Sequence, residues 1–322
     1  MAAAVEADLC FPQFNSSYRK ITRSPAVSML IYITLSSIAV LTVVLNLLVI
    51  ISIFHFKKLH TPTNLLLLSL AVSDFLVGLL MVFQIILIDG CWFLCDLMCS
   101  LYFLLDYGIT SASVGTMVLI SIDRYVAICD PLHYSTKVTQ SRAKVCVLLC
   151  WLSSAVFQGL VLRDNVRHPG RYNSCYGECI VVVEYVAGIV DLLLSFIGPV
   201  SIIVLGRAIL YDCSLLLSEQ ILMLAGSFNL TTLKSERKAL RTVSVVITVF
   251  LICICPYYCV TLTGGDAVLS ASSVAFVMCL FYFNSCLNPL IYALFYPWFR
   301  KSIKLIITLE ILKPGSCEAN VV

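Results

Sequence analysis

The stretch PTNLLLLSLAVSDFLVGLLMVFQIIL, residues 62 to 87, sets the frame for the whole chain. It carries a single charge, Asp74. About 20 mainly apolar residues are enough to cross a bilayer as a helix. A helix is also the form in which one segment satisfies all its own backbone amides in lipid. Working outward with the same criterion gives spans near 28–54, 62–87, 97–128, 142–162, 182–212, 237–262 and 271–294.

Composition agrees. The 322 residues are 60% hydrophobic and only 12% charged, with a mean hydropathy of +0.99. A soluble domain carries about 25% charged residues. The expected fold is an all-α membrane protein, a seven-transmembrane helix bundle over 28–294. Residues 1–27 form an extracellular N-terminus. Residues 295–322 form a short amphipathic helix and a cytoplasmic tail. The first 27 residues lack an apolar signal-peptide core, so the first span is expected to direct insertion. The net charge of +3 comes with no dense basic block, zinc spacing or aromatic–basic stripe, which argues against nucleic-acid binding.

Basic residues set the orientation. Lys57, Lys58, Lys137, Arg142, Lys144, Arg237, Lys238, Arg241, Arg300, Lys301 and Lys304 flank alternate span ends and place the C-terminus in the cytoplasm. Arg163, Arg167 and Arg171 then fall outside, against the trend. The sequon at Asn15 suits an exterior, glycosylated N-terminus, whereas the one at Asn229 falls in the cytoplasm. The connection near 213–236 is apolar for a cytoplasmic loop. After the seventh span, FYPWFRKSIKLIITLEIL interleaves apolar residues with Arg300, Lys301 and Lys304, as in a helix lying on a membrane surface.

Of 16 cysteines, ten fall in spans or on the cytoplasmic side, where small apolar packing is the default reading. Cys10, Cys91, Cys95, Cys99, Cys175 and Cys179 lie outside, and six cysteines allow fifteen pairings. Cys99 with Cys179 would pin the loop before the fifth span over the bundle. Cys10 with Cys175 is the second expectation. Cys91 and Cys95 stay unassigned.

Five charges lie in or at the ends of spans: Asp74, Asp106, Asp123, Arg124 and Asp191. Such residues face the bundle interior and are functional candidates; the bland alternative is an internal polar network. Asp106 and Arg124 are five helical turns apart, on one face but about 27 Å distant. Thr110 and Ser113 continue the stripe from Asp106. One helix thus joins an outer anionic site to an inner cationic one.

Beyond this the motifs carry a resemblance. Asn46, Leu70-Ala71-Val72-Ser73-Asp74, Asp123-Arg124-Tyr125, Trp151, Pro199, Pro256 and Asn288-Pro289-Leu290-Ile291-Tyr292 follow one another through the spans. Together they resemble the rhodopsin-like G-protein-coupled receptors. NSCLNPLIYALFYPWF, 284 to 299, resembles the trace amine-associated receptor signature at each fixed position. The Cys175–Cys179 pair, Cys10 and the N-terminal sequon are similar to that subfamily too, and Asp191 resembles its teleost olfactory branch.

That resemblance implies roles. Asp106 stands where aminergic receptors hold an amine. Tyr282 is expected to donate a hydrogen bond to it, with Tyr107, Thr110, Tyr257 and Tyr258 lining the site. Asp191 adds a second anion. Two unpaired carboxylates in one dry pocket repel, and one monoamine neutralises only one of them. Diamines of about four to six carbons would bridge both, so a diamine or polyamine of the putrescine–cadaverine type is the expected ligand. A monoamine held by either acid is the runner-up. Asp74, Ser113, Asn284, Ser285 and Asn288 resemble an allosteric sodium pocket, and no other metal or cofactor is expected. Arg124 is expected to pair with Asp123 and Glu236 at rest, with Tyr125 and Tyr292 in the switch and Pro256 as a kink point. A stimulatory G-protein, membrane lipid and the plasma membrane are the implied partners and place.

The chain departs from the pattern at several points. Ile254 replaces the sixth-helix tryptophan, Cys279 an aromatic, Arg207 a fifth-helix tyrosine, Leu45 a glycine and Tyr18 an N-terminal cysteine. These leave a weakly signalling receptor open. An amine transporter would show inverted repeats and paired broken helices, which are not seen. No HExxH or GxSxG motif or other catalytic set points to an enzyme.

Overall fold

In helix α1 (Pro25–His55) the buried stripe contains Thr42, Asn46 and Ser52, while Met29, Leu30, Ile33, Val40, Val44 and Phe54 are exposed. That is a soluble helix turned inside out: polar groups face the bundle and apolar ones face outward, as lipid requires. The computed structural model describes residues 9–14, 16–21, 23–206, 208–209, 213, 245–246, 248–260 and 271–321. Within these follow α2 (Pro62–Leu87), α3 (Asp96–Cys129), α4 (Gln140–Val161), α5 (Tyr185–Gly206), α6 (Thr248–Val260), α7 (Ala271–Phe295) and α8 (Pro297–Ile307). No extended strand occurs among the described residues, only two isolated bridges.

Local chemistry sets the helix starts. Ser24, Thr61 and Thr139 each turn a side-chain oxygen to an otherwise orphaned N–H, that of Val27, Asn64 and Arg142 respectively. Pro25, Pro62 and Pro297 occupy first turns, where a missing N–H costs nothing. Helices α1 to α5 and α7 are long and apolar enough to cross a membrane. Helix α6 is a shorter apolar helix inside the expected 237–262 span. Residues 237–244, 247 and 261–262 of that span lie outside the described residues.

The fifth span starts later than the sequence pattern suggests, at Tyr185 rather than 182. Asn165 holds the preceding chain extended: its Nδ2 donates to the Val182 carbonyl at 2.8 Å, and its Oδ1 accepts from the Val182 N–H at 3.1 Å. Helix α5 then widens into a π turn at Leu193–Ile197. Such turns are frequent at functional sites.

The bundle has two apolar cores. One, around Val77, Met81, Trp92, Tyr102, Ile109 and Tyr282, lies toward the end where Cys99 bonds to Cys179. The other, around Ile53, Leu70, Met117, Phe250 and Tyr292, lies toward the end bearing α8. Helices cross closely where glycine permits. A Cβ on Gly115 would come within 2.5 Å of Cys150 Sγ, and one on Gly78 within 2.9 Å of a Val43 methyl. Helix α8 buries Trp298, Phe299 and Ser302 and exposes Arg300, Lys301 and Lys304. The tail after it returns to the bundle, with Ser316 at 3.0 Å from His55 and Val321 buried in the lower core.

The cysteines require corrections. Cys99 bonds to Cys179, with Cα atoms 5.8 Å apart. Cys10, however, bonds to Cys91 and not to Cys175, which is free. The N-terminal segment doubles back on itself between Cys10 and Tyr18 and then runs beside Tyr176. Trp92 N–H donates to the Gly177 carbonyl, which brings Cys91 under the turn that carries Cys10. Cys129 and Cys213, read as packing thiols, are also bonded, with Cα atoms 5.6 Å apart. Cys10→Ser and Cys91→Ser should therefore destabilise equally, and the double variant no further. The bond closes 81 residues of chain, so its loss is worth about 2–4 kcal/mol. Cys175→Ser should leave the melting temperature of detergent-purified protein unchanged.

Candidate ligand cavity

Helices α3 to α7 enclose a cavity of about 430 Å³ below the Cys99–Cys179 loop. Its wall includes Asp106, Tyr107 and Thr110 from α3, Gln158 from α4, and Asp191 and Ser195 from α5. Tyr257, Tyr258 and Phe281 close the far side. Among the described residues no lysine, arginine or histidine lines it.

Asp106 is 7% exposed, and its Oδ1 is buried without a hydrogen-bond partner. A buried carboxylate oxygen with no donor is expensive. Such a group is the feature to look for when a site awaits a cationic partner. Asp191 is arranged differently. Its Oδ1 accepts from Gln158 Nε2 at 2.7 Å and from Ser195 Oγ at 2.8 Å. Both donors are neutral, so they orient the carboxylate and leave its charge in place. Ser195 lies one turn beyond Asp191, at i+4 on the same helix.

The aromatic wall is interlocked. Tyr258 stacks on Phe196 with centroids 4.0 Å apart, and Tyr257 meets Phe281 at 4.7 Å. Such faces attract cations as well as alkyl groups. Tyr282 differs from expectation. Among the described residues no hydrogen bond joins it to Asp106. Its hydroxyl lies 3.5 Å from that of Tyr102, which donates to Gln84 Oε1 at 2.9 Å. The α2–α3 side supplies polar partners, and the tyrosine turns there instead of into the cavity.

Deeper in the bundle, Asn288 Nδ2 donates to Asp74 Oδ2 at 2.8 Å, with Ser113 and Ser285 beside the same carboxylate. Asp74 Oδ1, Asn284 Oδ1 and Asn288 Oδ1 are buried without partners. Beside them a void of about 20 Å³, the size of one small ion or water, is lined by Ser113, Asn284 and Ser285 together with apolar side chains of α2, α3, α6 and α7. Unpartnered hard oxygens of this kind fit a sodium ion.

At the end bearing α8, Arg124 pairs with Asp123 and donates to Thr63 Oγ1 at 2.6 Å. Tyr134 donates to the other oxygen of Asp123 at 2.9 Å. Tyr125 is 40% exposed, while Tyr292 is buried with its hydroxyl unpartnered. In the adjoining turn, hydrogen bonds from Lys137 and His133 pull Asp130 down to a pKa of about 2, so it stays ionised at any physiological pH. Glu236 and Asn15 lie outside the described residues.

Sequence reading missed Gln158, Ser195, Thr63 and Tyr134. Gln158 was detectable as a polar side chain inside an apolar span. Ser195 was detectable as the residue one turn beyond Asp191. The other two are loop or helix-end residues, and their role exists only after folding.

Comparison with known proteins fits this geometry. Residues 45–292 match the family of seven-transmembrane receptors of the rhodopsin type. The chain is 38% identical over 330 residues to trace amine-associated receptor 8a of Rattus norvegicus, covering 96% of this chain and 94% of the relative. It is 36% identical over 327 residues to trace amine-associated receptor 13c of Danio rerio, covering 98% and 96%. It is also 36% identical over 332 residues to trace amine-associated receptor 6 of Homo sapiens, again covering 98% and 96%. Similarity along the whole chain, with the acid-lined cavity and the Asp123–Arg124 pair at opposite ends of α3, leads to one assignment: this is a multi-pass membrane receptor of the rhodopsin family and a member of its trace amine-associated receptors.

Proposed function

We propose that this receptor detects organic amines, and that its preferred ligands are diamines of about four to six carbons, of the putrescine–cadaverine type. One ammonium sits on Asp106 and the other on Asp191. The observation that carries this reading is that Asp106 and Asp191 share one cavity, with no cation in its wall among the described residues. One has a buried oxygen without a donor. The other is held only by neutral groups. Alkyl chains of four to six carbons set their terminal nitrogens roughly 6–9 Å apart, and the tyrosine wall covers the methylenes between.

In this reading the end bearing the Cys10–Cys91 and Cys99–Cys179 bonds faces outside at the plasma membrane, Asn15 is glycosylated, and the end bearing Arg124 meets a stimulatory G-protein. Asp74, Asn284 and Asn288 would hold sodium, with Ser113 and Ser285 adjoining. The bound ion would supply the positive charge that buried Asp74 lacks. The expected setting is an olfactory neuron.

The test is a cAMP reporter assay across monoamines and diamines of increasing length, with surface expression measured in parallel. A potency optimum near five carbons among diamines supports the reading, and flat potency across the series contradicts it. Gln158 tests the same site from the side. A hydrogen bond to a charged group is worth about 1.5–3 kcal/mol. Gln158→Leu should therefore lower the preference for 1,5-diaminopentane over pentylamine by about tenfold or more. An unchanged preference would mean that Gln158 does not orient Asp191.

A further inference from the structure

We propose that Cys129 and Cys213 form a reversible redox site, which peroxide oxidises to the bond that ties the end of α3 to the chain beyond α5. This rests on the orientation proposed above, with the Arg124 end inside. Cys99 lies near the start of α3, and Cys129 is its last residue. The helix between them is about 45 Å long, as thick as a bilayer with its headgroups. Whichever way the chain is threaded, the Cys99–Cys179 and Cys129–Cys213 bonds lie on opposite sides of the membrane. One of them therefore faces the cytosol. The basic residues Lys137, Arg142 and Lys144 give that side to Cys129. Disulfides are rare in the cytosol, and those that occur there are usually transient and redox-sensing.

Exposure separates the bonds in the same sense. Cys10, Cys91 and Cys99 are buried, which shields their bonds from reductant. Cys129 and Cys213 are both partly exposed, so small reagents reach them from water. Their Cα atoms are 5.6 Å apart, within the reach of a disulfide. In the reduced receptor one thiolate attacks peroxide: an S–O bond forms, the O–O bond breaks and hydroxide leaves. The second thiolate attacks the sulfenic sulfur, so that the S–S bond forms, the S–O bond breaks and a second hydroxide leaves. The two thiol protons turn both hydroxides into water, and the two electrons lost by sulfur go to the peroxide. Glutathione reverses the step by thiol–disulfide exchange and ends as its own disulfide. Arg124, paired with Asp123, lies about 7.5 Å along the helix from Cys129. The bond fixes this end of α3 against the continuation of α5 and resists any parting of the two. The oxidised receptor is locked at the face proposed to meet the G-protein, and the reduced receptor is free to open.

The experiment uses full-length receptor in intact cells. Cells are exposed to hydrogen peroxide, quenched with N-ethylmaleimide and digested without reductant, and peptide mass spectrometry reads the Cys129–Cys213 link. The link should be scarce in resting cells, predominant after peroxide and scarce again after recovery. The Cys99–Cys179 link should persist throughout. In parallel, peroxide should lower the maximal cAMP response to 1,5-diaminopentane by about fivefold or more, the low end of coupling between two sites. Cys129→Ser and Cys213→Ser should each remove that sensitivity. A link that stays complete in resting cells, or one that peroxide never forms, overturns the proposal. So does a wild-type response that is unchanged once the link has formed, or a peroxide effect that both serine variants retain. A receptor silent to diamines in either redox state sinks the amine reading alone, and the link assay then decides the redox site.

Discussion

Asp106→Ala should shift amine responses to far higher concentrations. Truncating one partner of a buried, hydrogen-bonded charge pair costs about 2–5 kcal/mol. That corresponds to a potency loss of roughly 30- to several thousand-fold. The loss should be of this size for both monoamines and diamines, because Asp106 is the most buried acid of the cavity and no cation lines that cavity among the described residues. Surface expression should be normal. The Oδ1 atom has no hydrogen-bond partner to lose, and removing an unsatisfied buried charge does not destabilise a fold. Thermal melting of ligand-free Asp106→Ala receptor checks this directly: its melting temperature should equal or exceed that of wild type. A lower value would mean that Asp106 is a structural network residue.

Asp191→Asn should alter selectivity more than overall response. The variant keeps the shape and an acceptor for the Gln158 and Ser195 donors, and it removes only the charge. Potency for 1,5-diaminopentane should fall by about 10- to 100-fold, the scale of one partly desolvated charge-assisted contact. Potency for pentylamine should change by less than about threefold. The expected variant is a receptor that no longer distinguishes the two ligands. Equal losses for both would show that Asp191 acts through the general field of the cavity. No loss for either would show that it serves only to bind Gln158 and Ser195.

The fold was legible in the sequence because lipid leaves little choice. Apolar runs of span length must be helices, and residues 62–87 became α2 at the same bounds. The deep charges were legible for a related reason, since an acid in hydrocarbon has to face the bundle. What could not be read were contacts set by neighbours distant in sequence. Tyr282 was aimed at Asp106 by resemblance, yet Tyr102 and Gln84 gave its hydroxyl another direction. Cys10 was paired with Cys175 because both lie outside the spans. The hydrogen bonds of Tyr18, Tyr176 and Trp92 instead fold the N-terminus over Cys91. The role of Gln158 depends on Asp191 of α5, 33 residues away in sequence, and exists only once the two helices are packed. Ile254, at the position where the resemblance implied tryptophan, is buried and lines a small void with Phe250 and Phe281.

The central claim is that one ligand spans two carboxylates of the same cavity. A cryo-EM structure of the receptor with 1,5-diaminopentane bound tests it most directly. The account predicts one nitrogen about 3 Å from an Asp106 oxygen and the other about 3 Å from the Asp191 oxygen that Gln158 and Ser195 leave free. A diamine bound only at Asp106, with its second nitrogen in solvent and Asp191 still held by Gln158 and Ser195 alone, would contradict it.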